Sequence, residues 1–383
     1  MPNIANTAAT PASLDLLVDA TPPTRDRYVD FLRALSIVVV VAWHWVFSIT
    51  QWNHGRLAMP NPIQYAPWLW PATWVLQIMP VFFFVGGFAN AASWESLRGR
   101  GGDWGEFAQR RLARLYRPLT AFFVVWAAVE TALTLARPGY TGVLHYGLVV
   151  FVPLWFLVIY TAVVLLTPAT TALHRRFGVR AVLALGAMIA LADGGRFGLG
   201  VGPLGWLNSA LVWLFAHQLG YLYQDGTLER IGRRGQAAVA ALGLGALVGL
   251  TTFGPYPRSM VAIGRDPIGN MFPTTACIAS LAVFQAGLAM LLRPAANRLL
   301  QRRRAWRSVI AANSVAMTVY IWHMTAVLIV IEAVHLAGFH LLRRPTEVWW
   351  LGRWFWVLAP AAVLAVLVAV FGRIEQRQAS PSR

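Results

Sequence analysis

Residues 27–45 read RYVDFLRALSIVVVVAWHW, and this stretch decides the fold. Between Arg33 and His44 stands only ALSIVVVVAW, and the apolar run continues to residue 50. That is the length needed to cross a hydrocarbon core about 30 Å thick, near 20 residues at about 1.5 Å each. Arg33 and His44 are 11 residues apart. On a helix this is about 1,100° of rotation, so both fall within roughly 20° of one face, about 16 Å apart along the axis. Asp30, one turn before Arg33, can pair with it. The stripe therefore sets a cation near one membrane surface and an imidazole near mid-membrane. A snorkelling Arg with a His bonded to a neighbouring helix fits this pattern, and so does a functional pair.

The composition agrees with a membrane reading. Of 383 residues, 57% are apolar and only 12% charged, with a mean hydropathy of +0.55. Soluble domains carry roughly 25% charged residues. The single cysteine, Cys277, excludes a disulfide scaffold, and so apolar a chain is neither an ordinary cytosolic enzyme nor disordered. The net charge is +17, and every basic residue is Arg. Such a charge in a soluble protein suggests nucleic acid, but in a membrane protein it first reports orientation.

Apolar stretches of spanning length recur at 32–50, 70–92, 118–136, 144–167, 179–192, 204–224, 236–253, 274–292, 308–336 and 349–371. With the N-terminus inside, the inner segments hold 24 of the 32 Arg. That alternation is what the positive-inside rule predicts. The expected architecture is an all-α integral membrane protein, a bundle of about ten transmembrane helices with both termini cytoplasmic. Residues 1–24, rich in Ala, Thr and Pro, read as a disordered cytoplasmic tail; 25–372 form the membrane domain, and 373–383 a second tail. Trp52, Trp68, Trp70, Trp206, Trp349 and Trp350 fall at the outer interface, where indoles prefer to lie. No internal repeat of the transporter kind is visible.

Ionisable groups inside spans are costly and mark function by default. They are His44, Glu130, His217, His323 and Glu332, with Asp30 and Arg33 at the mouth of the first span. By rise per residue, His44, Glu130 and His323 lie roughly 15–25 Å from the inner side, which suggests one polar cavity. Asn313 and His323 share a span in this reading. Gly86 and Gly87 admit close approach of another backbone or of a ligand. The run EFAQRRLARLYRP (106–118) sets Arg110, Arg111, Arg114 and Arg117 before a Pro. Anionic lipid headgroups and bound phosphates both suit such a cluster. Cys277 reads as a packed apolar residue.

The order of these motifs resembles the membrane-bound acyltransferase 3 family: an Arg and a His after an Asp in the first span, then PVFFFVGGF (80–88), RRLARLYRP (110–118), PLWFLVIYTAVVLLTP (153–168) and TVYIWH (318–323). The likeness runs from Arg27 to about Phe371, and the Arg-only basic set resembles an actinobacterial branch. The resemblance implies an enzyme of the inner (plasma) membrane that acylates hydroxyls of glycans, lipids or secondary metabolites. Its motif residues fall on Arg33, His44, Arg111, Arg114 and His323. The family's Ser-Gly after the phenylalanines is Gly86-Gly87 here, which opens the question of acceptor preference. The expected donor is cytoplasmic acyl-CoA, by resemblance acetyl-CoA, with Arg33, Arg111 and Arg114 on its phosphates and Asp30 orienting Arg33. His44 is the expected base, with His323 and Glu130 assisting. No tightly bound cofactor, metal or nucleic acid is implied; anionic lipids are expected neighbours. The competing function is a transporter or flippase for a lipid-linked or glycan precursor, with the intramembrane His and Glu relaying protons.

Overall fold

The computed structural model describes residues 11–53, 56–140, 142, 145–263, 269–339, 341 and 344–376. Among these, helices dominate and the only sheet is a two-stranded hairpin, Gln51–Asn53 against Arg56–Ala58, with Trp52 opposite Leu57. Eight helices are long and apolar enough to cross a membrane, and a ninth span exists if one bent pair is counted as a single crossing. That pair, Val152–Leu165 and Thr167–Phe177, bends by 56° at Leu166, where Pro168 opens the second helix. The remaining expected span, Leu204–Gln224, is a helix of 21 residues, mostly buried, whose Asn208, Ser209, His217 and Gln218 lower its apolarity.

Two helix crossings are closed by glycine. A Cβ on Gly87 would stand 1.9 Å from the His217 carbonyl oxygen, and one on Gly220 would stand 2.0 Å from that of Phe84. The Met79–Arg98 and Leu204–Gln224 helices therefore touch backbone to backbone, so Gly87 serves helix packing. Gly243 and Gly287 do the same where Gly232–Phe253 crosses Ala276–Leu300. Cys277 is fully buried in the second of these.

Two sequence expectations change. Residues 308–336 do not form one span: Arg303–Ser314 is a separate amphipathic helix, and the spanning helix is Ala316–Leu336. The cause is a side-chain cap. The Glu375 carboxylate accepts from the backbone N–H of Met317 and Thr318 and from the Thr318 hydroxyl, at 2.8–3.0 Å. These bonds satisfy orphan donors at a new helix start. Asn313 thus lies outside the His323 helix and instead donates to the Asp30 carbonyl. Within the segment expected to be a disordered tail, Pro11–Asp19 is a helix. It docks on Arg303–Ser314 through Asp15 and Asp19 to Arg303, Asp15 to Arg307, and Thr21 to the Trp306 indole. Residues 1–10 and 377–383 lie outside the described residues, the latter being most of the expected C-terminal tail; 373–376 complete the last helix, Phe355–Gln376.

Candidate active site

The first spanning helix, Arg27–Val46, is capped by Asp26, whose carboxylate accepts from the N–H of Tyr28 and Val29. Arg33 lies in its second turn. His44 lies in its last turn, just before the chain leaves the helix at Phe47 toward the hairpin. One helix thus carries the two groups at its opposite ends.

At the far end, His44 meets His323. His323 Nε2 lies 3.1 Å from His44 Nδ1, and His323 Nδ1 lies 2.6 Å from the Tyr320 carbonyl oxygen. A carbonyl only accepts, so the His323 proton sits on Nδ1 and its Nε2 offers a lone pair. His44 must then donate from Nδ1, which leaves the lone pair of the pair on His44 Nε2. The Trp45 indole donates to the His323 carbonyl at 3.1 Å and the Tyr320 hydroxyl to the Pro153 carbonyl, so the whole group is pinned. His323 is fully buried; His44 is half-buried because it lines a cavity.

That cavity has a volume of about 600 Å³. Trp43, Ile78, Met79, Trp155 and Phe272 supply much of its wall, and among the described residues its titratable side chains are His44 and Tyr320. A second cavity of about 360 Å³, bordered by Ser48, Leu57, Val149 and Met324, meets the first at His44 and Val152.

At the near end, Asp30 is buried between two guanidiniums, Arg25 at 2.6 Å and Arg33 at 3.4 Å. Arg111 donates from Nη2 to the Ala89 carbonyl at 2.8 Å, and its buried Nε has no partner among the described residues. The charges of Arg33, Arg111 and Arg114 act on one another, with Tyr160 and Glu375 close enough to act on Arg114. These guanidiniums repel one another, are offset in part by Asp30 and Glu375, and leave one buried donor unspent, a combination chemically suited to an anion. Sequence reading did not reach Tyr160 or Glu375. Tyr160 stands in the room left by Gly86, where an added Cβ would come within 2.9 Å of its ring.

Glu130 joins neither group. Its Oε2 accepts from the Tyr140 hydroxyl at 2.9 Å, in a cluster with His145, Tyr146 and Glu332. The helix Trp104–Ala136 explains this: Trp126 reaches Thr325, near His323, and Glu130 lies about 6 Å farther along. Its expected place beside the imidazoles is therefore replaced by one beyond them. His217 stands apart from His44 and His323, bonded to Asn90 at 3.1 Å behind the Gly87 contact, and the charge it feels is that of Arg111 in the guanidinium group.

A bundle of apolar spanning-length helices with polar groups gathered at two ends defines a multi-pass membrane protein with an interior site. Residues 26–373 match the acyltransferase domain family, acyltransferase 3. The chain belongs to that family and is an acyltransferase. No curated protein and no solved structure matches it.

Proposed function

We propose that this membrane acyltransferase moves an acyl group, acetyl in the simplest case, from cytoplasmic acyl-CoA to a hydroxyl presented at His44, the acceptor belonging to a glycan, lipid or secondary metabolite of the cell envelope. The observation that carries the reading is the His323–His44 pair, whose hydrogen-bond directions leave a lone pair on His44 Nε2. The phosphates of the donor would bind Arg33, Arg111 and Arg114. An extended pantetheine arm would then cover the roughly 16 Å along the helix to His44. His44 Nε2 takes the proton of the acceptor hydroxyl as its oxygen attacks the thioester carbonyl. The tetrahedral intermediate collapses, the C–S bond breaks, and the coenzyme thiolate recovers the proton from His44. His323 holds the tautomer and orientation of His44 and is a positioning residue.

The Arg excess of the inner loops supports an inner (plasma) membrane protein of about ten spans with its N-terminus in the cytoplasm, Leu204–Gln224 and the bent pair each counted as one span. The test is thiol release and label transfer from acetyl-CoA by the protein in lipid nanodiscs. Acetyl-CoA binding should weaken about 10- to 100-fold in Arg111→Ala, the worth of a charge-assisted hydrogen bond. Unchanged binding in the Arg111→Ala/Arg114→Ala double variant would sink the donor site.

A further inference from the structure

We infer that the cavity of about 600 Å³ at His44 is the acceptor subsite and takes an apolar body, so that the acceptor is a hydroxyl carried on a lipid-like or aromatic molecule rather than a bare sugar. The inference rests on the acyl-transfer reading above and adds the class of acceptor. Three observations carry it.

The first is position. Among the described residues, the wall comes from the last turns of Arg27–Val46, residues 73–78 and the start of Met79–Arg98, residues 151–155, the loop residues Val261, Ala262, Met271 and Phe272, and Tyr320, one turn before His323. The guanidinium cluster lies at the other end of the same first helix. A donor held there would reach His44 from that end of the helix, whereas the loop residues of this cavity's wall stand beyond its last turn.

The second is chemistry. Among the described residues, the polar groups of the wall besides His44 are the side chains of Thr73, Gln77 and Tyr320 and the indole N–H of Trp43 and Trp155, and the first three are bonded within the protein. The Thr73 hydroxyl donates to the Trp70 carbonyl and accepts from the Met260 N–H. The Gln77 amide nitrogen faces the Met271 sulfur, and its oxygen accepts from the Met79 N–H. The Tyr320 hydroxyl is spent on Pro153. A glycan in this space would lose water from several hydroxyls and find few partners, which is costly. An apolar body gains from the same desolvation, and Trp155 packs edge to face with Phe272 at 6.1 Å to form part of that wall.

The third is that two cavities meet at His44. The smaller, about 360 Å³, leaves room for a short acyl group, so the larger is free for the acceptor. A volume of about 600 Å³ lies within the usual range for small-molecule sites.

The test uses the full chain in nanodiscs with two readouts. Photolabelling by a long-chain alcohol bearing a diazirine should mark the peptide containing Met271 and Phe272, and Val261→Trp, which fills the cavity, should abolish the mark while acetyl-CoA binding stays unchanged. In the transfer assay, n-octyl glucoside should exceed free glucose as acceptor by at least tenfold, with the preference lost in Val261→Trp and extended to longer chains in Val261→Ala. Equal use of glucose and octyl glucoside, with no labelling of that peptide, overturns the inference. So does a Val261→Trp effect that follows the length of the donor acyl chain instead of the acceptor. Labelling without any thiol release would leave the apolar subsite standing and count against acyl transfer; thiol release without labelling would do the reverse.

Discussion

His44 and His323 are 279 residues apart in the chain, and the meaning of each depends on the other. The Tyr320 carbonyl fixes one proton, that proton fixes the lone pair on His323, and this in turn sets the tautomer of His44. His323→Gln keeps an oxygen that can accept from His44 Nδ1, whereas His323→Ala does not. We expect kcat to fall in both, with Gln retaining clearly more activity than Ala and acetyl-CoA affinity the same in each; equal losses would assign His323 a purely structural role. Arg33, His44 and His323 stood out in the sequence because charge inside or at the mouth of an apolar run is rare, whereas Arg111 and Arg114 were separated from their neighbours Arg110 and Arg117 only by the family resemblance. Glu130 was legible only in part. Its depth was readable, but which side chain it meets depends on how Trp104–Ala136 packs along Ala316–Leu336, and that is set by contacts distant in sequence such as Trp126 to Thr325.

Helices were located well wherever apolarity alone sets their length, and poorly wherever a side chain from elsewhere ends them. The break before Ala316 depends on Glu375, some 60 residues away, so periodicity carried 308–336 through it. Glu375→Gln should lower stability by roughly 1–2 kcal/mol, the worth of a carboxylate at a helix start, read as a lower midpoint of thermal unfolding in nanodiscs. Gly87 shows the opposite case, where the motif was visible but its use was open. With the His217 carbonyl 1.9 Å from an added Cβ, Gly87→Ala should separate two helices and cost about 1–3 kcal/mol, again as a lowered midpoint. A wild-type midpoint in that variant would return Gly87 to the list of ligand contacts. The tail helix Pro11–Asp19 was hidden because its partner surface, Arg303, Trp306 and Arg307, lies near the other end of the sequence. Exposed ion pairs of this kind are worth about 0–1 kcal/mol each, so Asp15→Ala with Asp19→Ala should free the tail to proteolysis with little change in the midpoint.

At the scale of the molecule, the proposed orientation would put the guanidinium group at the cytoplasmic face and the imidazole pair deeper in the membrane. On that proposal the charge of +17 reports orientation over most of its members and an anion site in a few. Sidedness can be read with maleimide on single cysteines in a Cys277→Ser background. Arg98→Cys should react only with cytoplasmic reagent and Arg258→Cys only with external reagent; the reverse pattern would invert the scheme. The central claim is that His44 takes the proton from the acceptor, and it is tested most directly by acyl transfer from labelled acetyl-CoA in nanodiscs by His44→Ala beside the unaltered protein, with donor binding measured on the same samples. Loss of transfer by about 10²- to 10⁴-fold with donor affinity preserved is the predicted result, as for removal of a general base. Transfer near the unaltered rate would contradict it.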